Sequence, residues 1–254
     1  YGVTPDRVVV TNGSDEVLSF AFMAYGDDGV AFPDITYGFY RVFADLYGLD
    51  AVEIPLCEDF SIDPADYMNI GKTVVIANPN APTGLSLPVS HIEAILKSNP
   101  DQVVIVDEAY VDFGGESAVP LVDKYENLLV VQTFSKSRSM AGARLGFAIG
   151  NEKLIADLNT IRYSVNPYNV NRMTSAAGIA ALEDNDYYMT NCRTIAENIE
   201  YTKAELAKHG ISCDGKRAVQ LTCYDYDKYD LFLVMDENNL RNIFRIFPAD
   251  PQGK

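Results

Sequence analysis

The sequence predicts an α/β chain with a mostly parallel sheet flanked by helices, followed by a short α/β tail. Short β-branched runs bounded by turn residues recur along it, and stretches with helical spacing of apolar residues separate them. In three of these runs, Val74 to Ala77, Val103 to Val106 and Leu128 to Val131, no polar residue interrupts the apolar ones. Strands covered by helices on both faces read in this way, whereas a half-exposed sheet alternates.

Taken in order, "RVVVTN" is a strand, and "NGSDEVLSFAFMAYG" is a turn entering a helix at Ser14. "AVEIPL", "TVVIANP", "QVVIVDEAY", "LLVVQTFS" and "RLGFAIG" follow as further strands. Parallel sheets place ligands at the carboxyl ends of their strands. Here those ends carry "TNGSDE", "NPNAPTG", "DEAY" and "TFSK", so four polar endings at one edge predict one site. After Gly150 helical spacing covers Glu152 to Ile161, Asn171 to Leu182 and Tyr188 to Lys208, with a change of texture near Lys203. The tail is expected to form a strand at Leu231 to Met235 and a short helix from about Asn238.

Composition narrows the function. A formal charge of -16 argues against a nucleic-acid partner, which needs a basic face to release counterions. The four cysteines lack the close pairs of zinc or redox dithiols and read as reduced thiols, so no metal and a cytoplasmic setting are expected. No apolar stretch is long enough for a membrane span. The chain opens on Tyr1 rather than Met and is read as a fragment or processed product.

The candidate site residues each have a plain reading in isolation. A single lysine is usually a solvated surface group. Lys136, however, follows a buried-type strand and the small hydroxyls of Thr133 and Ser135, with Arg144 further along the same run. A lysine in a cleft beside another cation can lose its proton and act as a Schiff-base nucleophile, and Arg144 and Ser135 would suit a phosphate. Asp107 ends "VVIVD" and could cap a turn, but a buried carboxylate there could also keep a pyridine nitrogen protonated, with Tyr110 reaching the ring's phenolic oxygen. Gly13, Ser14 and Asp15 form an ordinary helix start, or a set of free amides that bind phosphate. Tyr37 in "FPDITYGFYRVF" packs in a core or stacks on a flat ring.

Together these residues carry a resemblance. From Tyr1 to about Thr202, "TNGSDEVL", "FPDITYGFY", "NPNAPTG", "VVIVDEAYVDF", "TFSKSRSMAGARLGFAIG" and "NPYNVNRMTSAAGIAAL" resemble, in family order, the large domain of fold-type I pyridoxal phosphate aminotransferases of the histidinol-phosphate type. The resemblance implies that Lys136 carries pyridoxal 5'-phosphate and acts catalytically, Asp107 pairs with the pyridine nitrogen, Tyr110 contacts the ring oxygen and Tyr37 stacks on the ring. It assigns the phosphate to Ser135, Arg144 and the amides of Gly13 and Ser14, with Thr133 and Asp15 also among the cofactor-binding residues. Where the family has an asparagine before "PTG" this sequence has Ala81, which leaves Asn80 or Asn78 as the expected substitute. The family's N-terminal segment, with a tyrosine that reaches the partner subunit's cofactor phosphate, does not precede Tyr1 here.

The expected domains are an aminotransferase large domain over 1–203 and a partial module over 204–254. The second is similar to low-molecular-weight protein tyrosine phosphatases in "DKYDLFLVMDENNLRNI". Phosphatase chemistry is not expected, because such enzymes need an arginine six residues after a cysteine. Asp63, Asn198, Val219 and Tyr229 stand at that spacing after Cys57, Cys192, Cys213 and Cys223. The expected activity is transfer of an amino group between glutamate and a phosphorylated keto substrate, imidazole acetol phosphate, in histidine biosynthesis, by a homodimer. The alternatives are a cofactor-binding fragment or fusion product without efficient turnover, and another aminotransferase of the class acting on aromatic or threonine-phosphate substrates.

Overall fold

The computed structural model describes residues 1–213, 221–234 and 236–253. It divides into two compact units, Tyr1–Cys213 and Asp214–Lys254. The first holds a seven-stranded sheet made of β1 (Val8–Thr11), β2 (Val30–Pro33), β3 (Ala51–Ile54), β4 (Thr73–Ala77), β5 (Val104–Asp107), β6 (Leu128–Thr133) and β7 (Gly146–Gly150), in the order β1-β7-β6-β5-β4-β2-β3. β7 runs antiparallel to both of its neighbours, and the remaining pairs are parallel.

Every residue of β4, β5, β6 and β7 is buried, which explains the uninterrupted apolar runs. Alternate side chains enter two separate cores. Val74, Ile76, Val104, Val106, Leu128 and Val130 meet Ile92, Ile95 and Leu96 of α3 (Val89–Ser98) on one face. Val75, Ala77, Ile105, Leu129 and Val131 share the other with α1 (Ser14–Tyr25), α2 (Phe39–Tyr47) and α4 (Glu152–Val165). Burying one such Val, Leu or Ile side chain is worth about 1.5–3 kcal/mol, so this doubly covered centre is the stable frame on which the strand ends are fixed.

The sequence reading missed β2. "VAFP" is only four residues long, all buried, and closes on Pro33, so neither alternation nor length marks it. It is held by pairing with β3 and β4. Two further helices follow β7 and α4, α5 (Arg172–Glu183) and α6 (Asn185–Lys208). α6 runs through 203 without a break and buries only Cys192.

In the second unit, α7 (Glu237–Ile246) matches the expected short helix. The expected strand does not form at 231–234, and Met235 lies outside the described residues. Instead Phe232 packs between Tyr226 and Phe247, with ring centroids 6.2 and 5.0 Å away, so this segment is fixed by aromatic contact rather than by a ladder. Among the described residues, no helix is long and apolar enough to cross a membrane, and no cluster of three or more metal-ligating side chains occurs. All four cysteines are free.

Candidate active site

The chain direction explains why the predicted residues converge. β1, β4, β5 and β6 all end at the same edge of the sheet, and β7, running the other way, begins there. Arg144, just before β7, is thereby delivered to the edge where Lys136 leaves β6. A cleft of about 270 Å³ opens at this edge, lined by Ser14, Asp15, Tyr37, Asp107, Tyr110, Thr133, Ser135, Lys136 and Arg144 among others.

One end of the cleft is built for an anion. Gly13 precedes α1 with φ +90 and supplies no capping side chain, and its own amide donates to the Thr11 carbonyl at 2.9 Å, so the expectation of a free Gly13 amide is corrected and the first turn from Ser14 faces the cleft. A Cβ on Gly13 would lie 2.4 Å from Arg144 Nη2. Gly146 is tighter still, because a Cβ there would meet Ser14 N at 2.2 Å and the Gly13 carbonyl carbon at 2.4 Å. Two glycines thus let the positive end of α1 approach β7 and the arginine. Arg144 donates from Nη2 to Asp15 Oδ2 at 3.1 Å, while Asp15 Oδ1 accepts the Tyr37 hydroxyl at 2.9 Å. We expect Gly146→Ala to destabilise the chain by at least about 1–3 kcal/mol, since backbone rather than a movable side chain blocks the methyl. A denaturant midpoint equal to that of the parent chain would refute this packing argument.

Asp107 lines the same cleft at the end of β5. It is 5% exposed. Its Oδ2 accepts the Tyr40 hydroxyl at 2.8 Å and its Oδ1 the Ala109 amide at 3.2 Å. Burial pushes its pKa up to about 6, against the opposing pull of these two hydrogen bonds and of Lys136. The sequence reading did not single out Tyr40. Its signal was the second tyrosine of "TYGFY", three residues after Tyr37.

Lys136 occupies the turn after β6, and its neighbours are anchored on both sides. Ser137 donates its hydroxyl to Asp112, and the buried Arg138 donates to the Ala181 carbonyl and to Asn185 Oδ1 at the junction of α5 and α6. Thr133 Oγ1 accepts the Ser135 amide at 3.1 Å and donates to Ser135 Oγ at 3.0 Å, which tightens the turn. The Lys136 ammonium sits 5.2 Å from the centre of the Tyr110 ring. Glu108, also missed, takes Ser117 Oγ, the Ala118 amide and Gln132 Nε2 at 2.6–2.7 Å, and so ties the "DEAY" turn to β6. Only the residue after Asp107 in the quoted motif hinted at it.

Asn80 is a correction. Its amide donates to the Ile35 carbonyl at 2.9 Å and its oxygen accepts Thr36 Oγ1 at 2.9 Å, so both ends are engaged in holding a loop. Asn78 is similarly closed onto the Leu87 backbone, as donor and as acceptor. Neither asparagine lines the cleft, whereas Ala81 does.

Comparison with known proteins decides the family. The model for "Aminotransferase class I and II" matches residues 1–239. The chain belongs to this family. A histidinol-phosphate aminotransferase of Brachyspira hyodysenteriae is 50% identical over 98% of the chain and 72% of its own length. The histidinol-phosphate aminotransferase structure from Clostridium acetobutylicum is 26% identical with a TM-score of 0.71, over 80% of this chain and 62% of its own. The Sinorhizobium meliloti histidinol-phosphate aminotransferase, solved with pyridoxal-5'-phosphate, shares the fold at 23% identity and a TM-score of 0.74, over 83% of this chain and 59% of its own. The chain thus spans roughly three fifths to seven tenths of these aminotransferases.

These matches correct the reading of the tail. The aminotransferase match continues to residue 239 and the Brachyspira relative aligns over 98% of the chain, so the resemblance of 204–254 to a phosphatase is not supported.

Proposed function

We propose that this aminotransferase chain binds pyridoxal phosphate in the cleft and transfers an amino group between glutamate and imidazole acetol phosphate, with residues 1–203 supplying the cofactor floor. The observation that carries the reading is one cleft that joins the first turn of α1 at Ser14, the guanidinium of Arg144, the amine of Lys136 and the buried carboxylate of Asp107, with Gly13 and Gly146 letting α1 approach Arg144. A flat ring bearing a phosphate on one side and a basic nitrogen on the other fits such a donor set. The glycine cradle that a Cβ would fill supports the same fit. When bound, pyridoxal phosphate supplies an electron sink for the carbon that loses its proton.

The chain's own residues do the rest. Arg144, Ser135, Thr133 and the first amides of α1 hold phosphate, and Asp107 retains the proton on the ring nitrogen. Tyr37 covers one face of the ring, and Tyr110 donates at the ring-oxygen side, where Ala81 offers no donor. Lys136 would be the covalent anchor, and once the substrate's amino group takes its place on the cofactor the released lysine amine would carry the proton at the reacting carbon. The name of the 50%-identical relative favours histidinol phosphate over other donors. A homodimer in the cytoplasm accords with this reading.

Borohydride reduction of the chain incubated with pyridoxal phosphate, followed by peptide mapping, tests it. A pyridoxyl group on the peptide containing Lys136 is expected. Labelling of a different lysine, or none, overturns the proposal.

A further inference from the structure

We infer that Tyr40 is a positioning residue for the cofactor ring, a single buried side chain that holds both the carboxylate of Asp107 and the ring of Tyr37. The inference rests on the pyridoxal phosphate reading above. Tyr40 is fully buried, and its hydroxyl donates to Asp107 Oδ2 at 2.8 Å. Its ring meets that of Tyr37 edge-on, with centroids 5.6 Å apart and an interplanar angle of 81°. Phe22 and Phe32 back it at 6.3 and 5.9 Å.

Buried phenols usually find a partner, and here the partner is the Asp107 carboxylate that lines the cleft. Tyr37 cannot substitute for it, since the Tyr37 hydroxyl is given to Asp15 at the anion end. With Tyr40 on Oδ2 and the Ala109 amide on Oδ1, the plane of the Asp107 carboxylate is set before any ring arrives. The other groups that act on Asp107 come from separate elements. Asp15 on α1 disfavours its charge, Lys136 after β6 favours it, and Glu108 and Tyr37 are coupled to it. Tyr40 alone among them combines a direct side-chain hydrogen bond to Asp107 with contact to the stacking tyrosine.

Tyr40→Phe removes the hydroxyl and keeps the ring packing. The readout is the affinity of the chain for pyridoxal phosphate by equilibrium dialysis between about pH 5 and 9, a range that brackets the Asp107 transition. An ionised Asp107 favours the protonated ring nitrogen, so wild-type affinity should rise as pH increases through about 6. Loss of a hydrogen bond that favours the carboxylate should move this rise upward by about one pH unit in Tyr40→Phe. Asp107→Asn should lack the Asp107 step and so exposes any titration of the cofactor itself. 3-Fluorotyrosine at position 40, a stronger donor, should move the rise downward, and it decides the matter should Tyr40→Phe not fold.

A Tyr40→Phe profile that overlays the wild type, with only a lower thermal midpoint, overturns the inference, because loss of a merely structural contact would give that result. A wild-type step lost in Asp107→Asn but unmoved by either change at position 40 overturns the inference and leaves the cofactor reading standing. Failure of the wild-type chain to bind pyridoxal phosphate at any pH overturns both.

Discussion

Replacing Lys136 with alanine is expected to leave pyridoxal phosphate bound to the chain but no longer reducible onto it, and to slow the glutamate half-reaction by about 10²–10⁴-fold, the range associated with loss of a positioned acid–base group. The binding contacts explain the first half of that result. Ser14, Ser135, Arg144 and Asp107, which line the cleft, are untouched by the change, and the turn stays pinned through Ser137 and Arg138. The loss of rate follows because, among the described residues, Lys136 supplies the amine that lines the cleft. Stopped-flow absorbance after addition of glutamate, compared with the parent chain, measures it. Equal rates would mean that Lys136 is not the proton carrier.

Asp107→Asn should separate holding from reaction. Turnover is expected to fall on the order of 10²–10³-fold, as when a fixed electrostatic group facing developing charge is removed. Affinity for pyridoxal phosphate above about pH 7 should fall less than about tenfold, since each 1.4 kcal/mol of lost contact is a factor of ten and the phosphate contacts remain. The amide oxygen can keep one of the two donors, Tyr40 or Ala109, and its NH2 can instead donate to the Tyr40 oxygen, so the fold should persist. Parallel measurement of dissociation constant and half-reaction rate settles the case, and an equal fall in both would assign Asp107 a structural role.

The parts of this site written in local sequence were legible in advance. Lys136, Asp107, Tyr110, Ser135 and Arg144 each stand at or near a strand end with a distinctive composition, and chain direction alone brings strand ends together. Tyr40 and Glu108 were not legible, because their importance lies in partners across the fold. Tyr40 meets Asp107 67 residues away, and Glu108 meets Gln132 24 residues away. Asn80 was misread for the opposite reason. It stands beside the family's usual position, but a one-residue step along a loop turns the side chain toward Ile35 and Thr36. β2 escaped because tertiary pairing, rather than any local periodicity, makes "VAFP" a strand.

The reversed direction of β7 has an entropic side. Thr133 and Gly146 face each other across the β6–β7 pair, about a dozen residues apart, so the lysine and the arginine of the cleft belong to one short loop. The same Gly146 also pairs with Thr11, which brings the first turn of α1 from about 130 residues away. Closing the longer loop costs about 2 kcal/mol more than closing the shorter one. The anion end of the cleft is therefore assembled from two unequal contributions, a guanidinium that is local to the covalent anchor and a helix terminus whose arrival depends on the most distant strand pairing in the sheet.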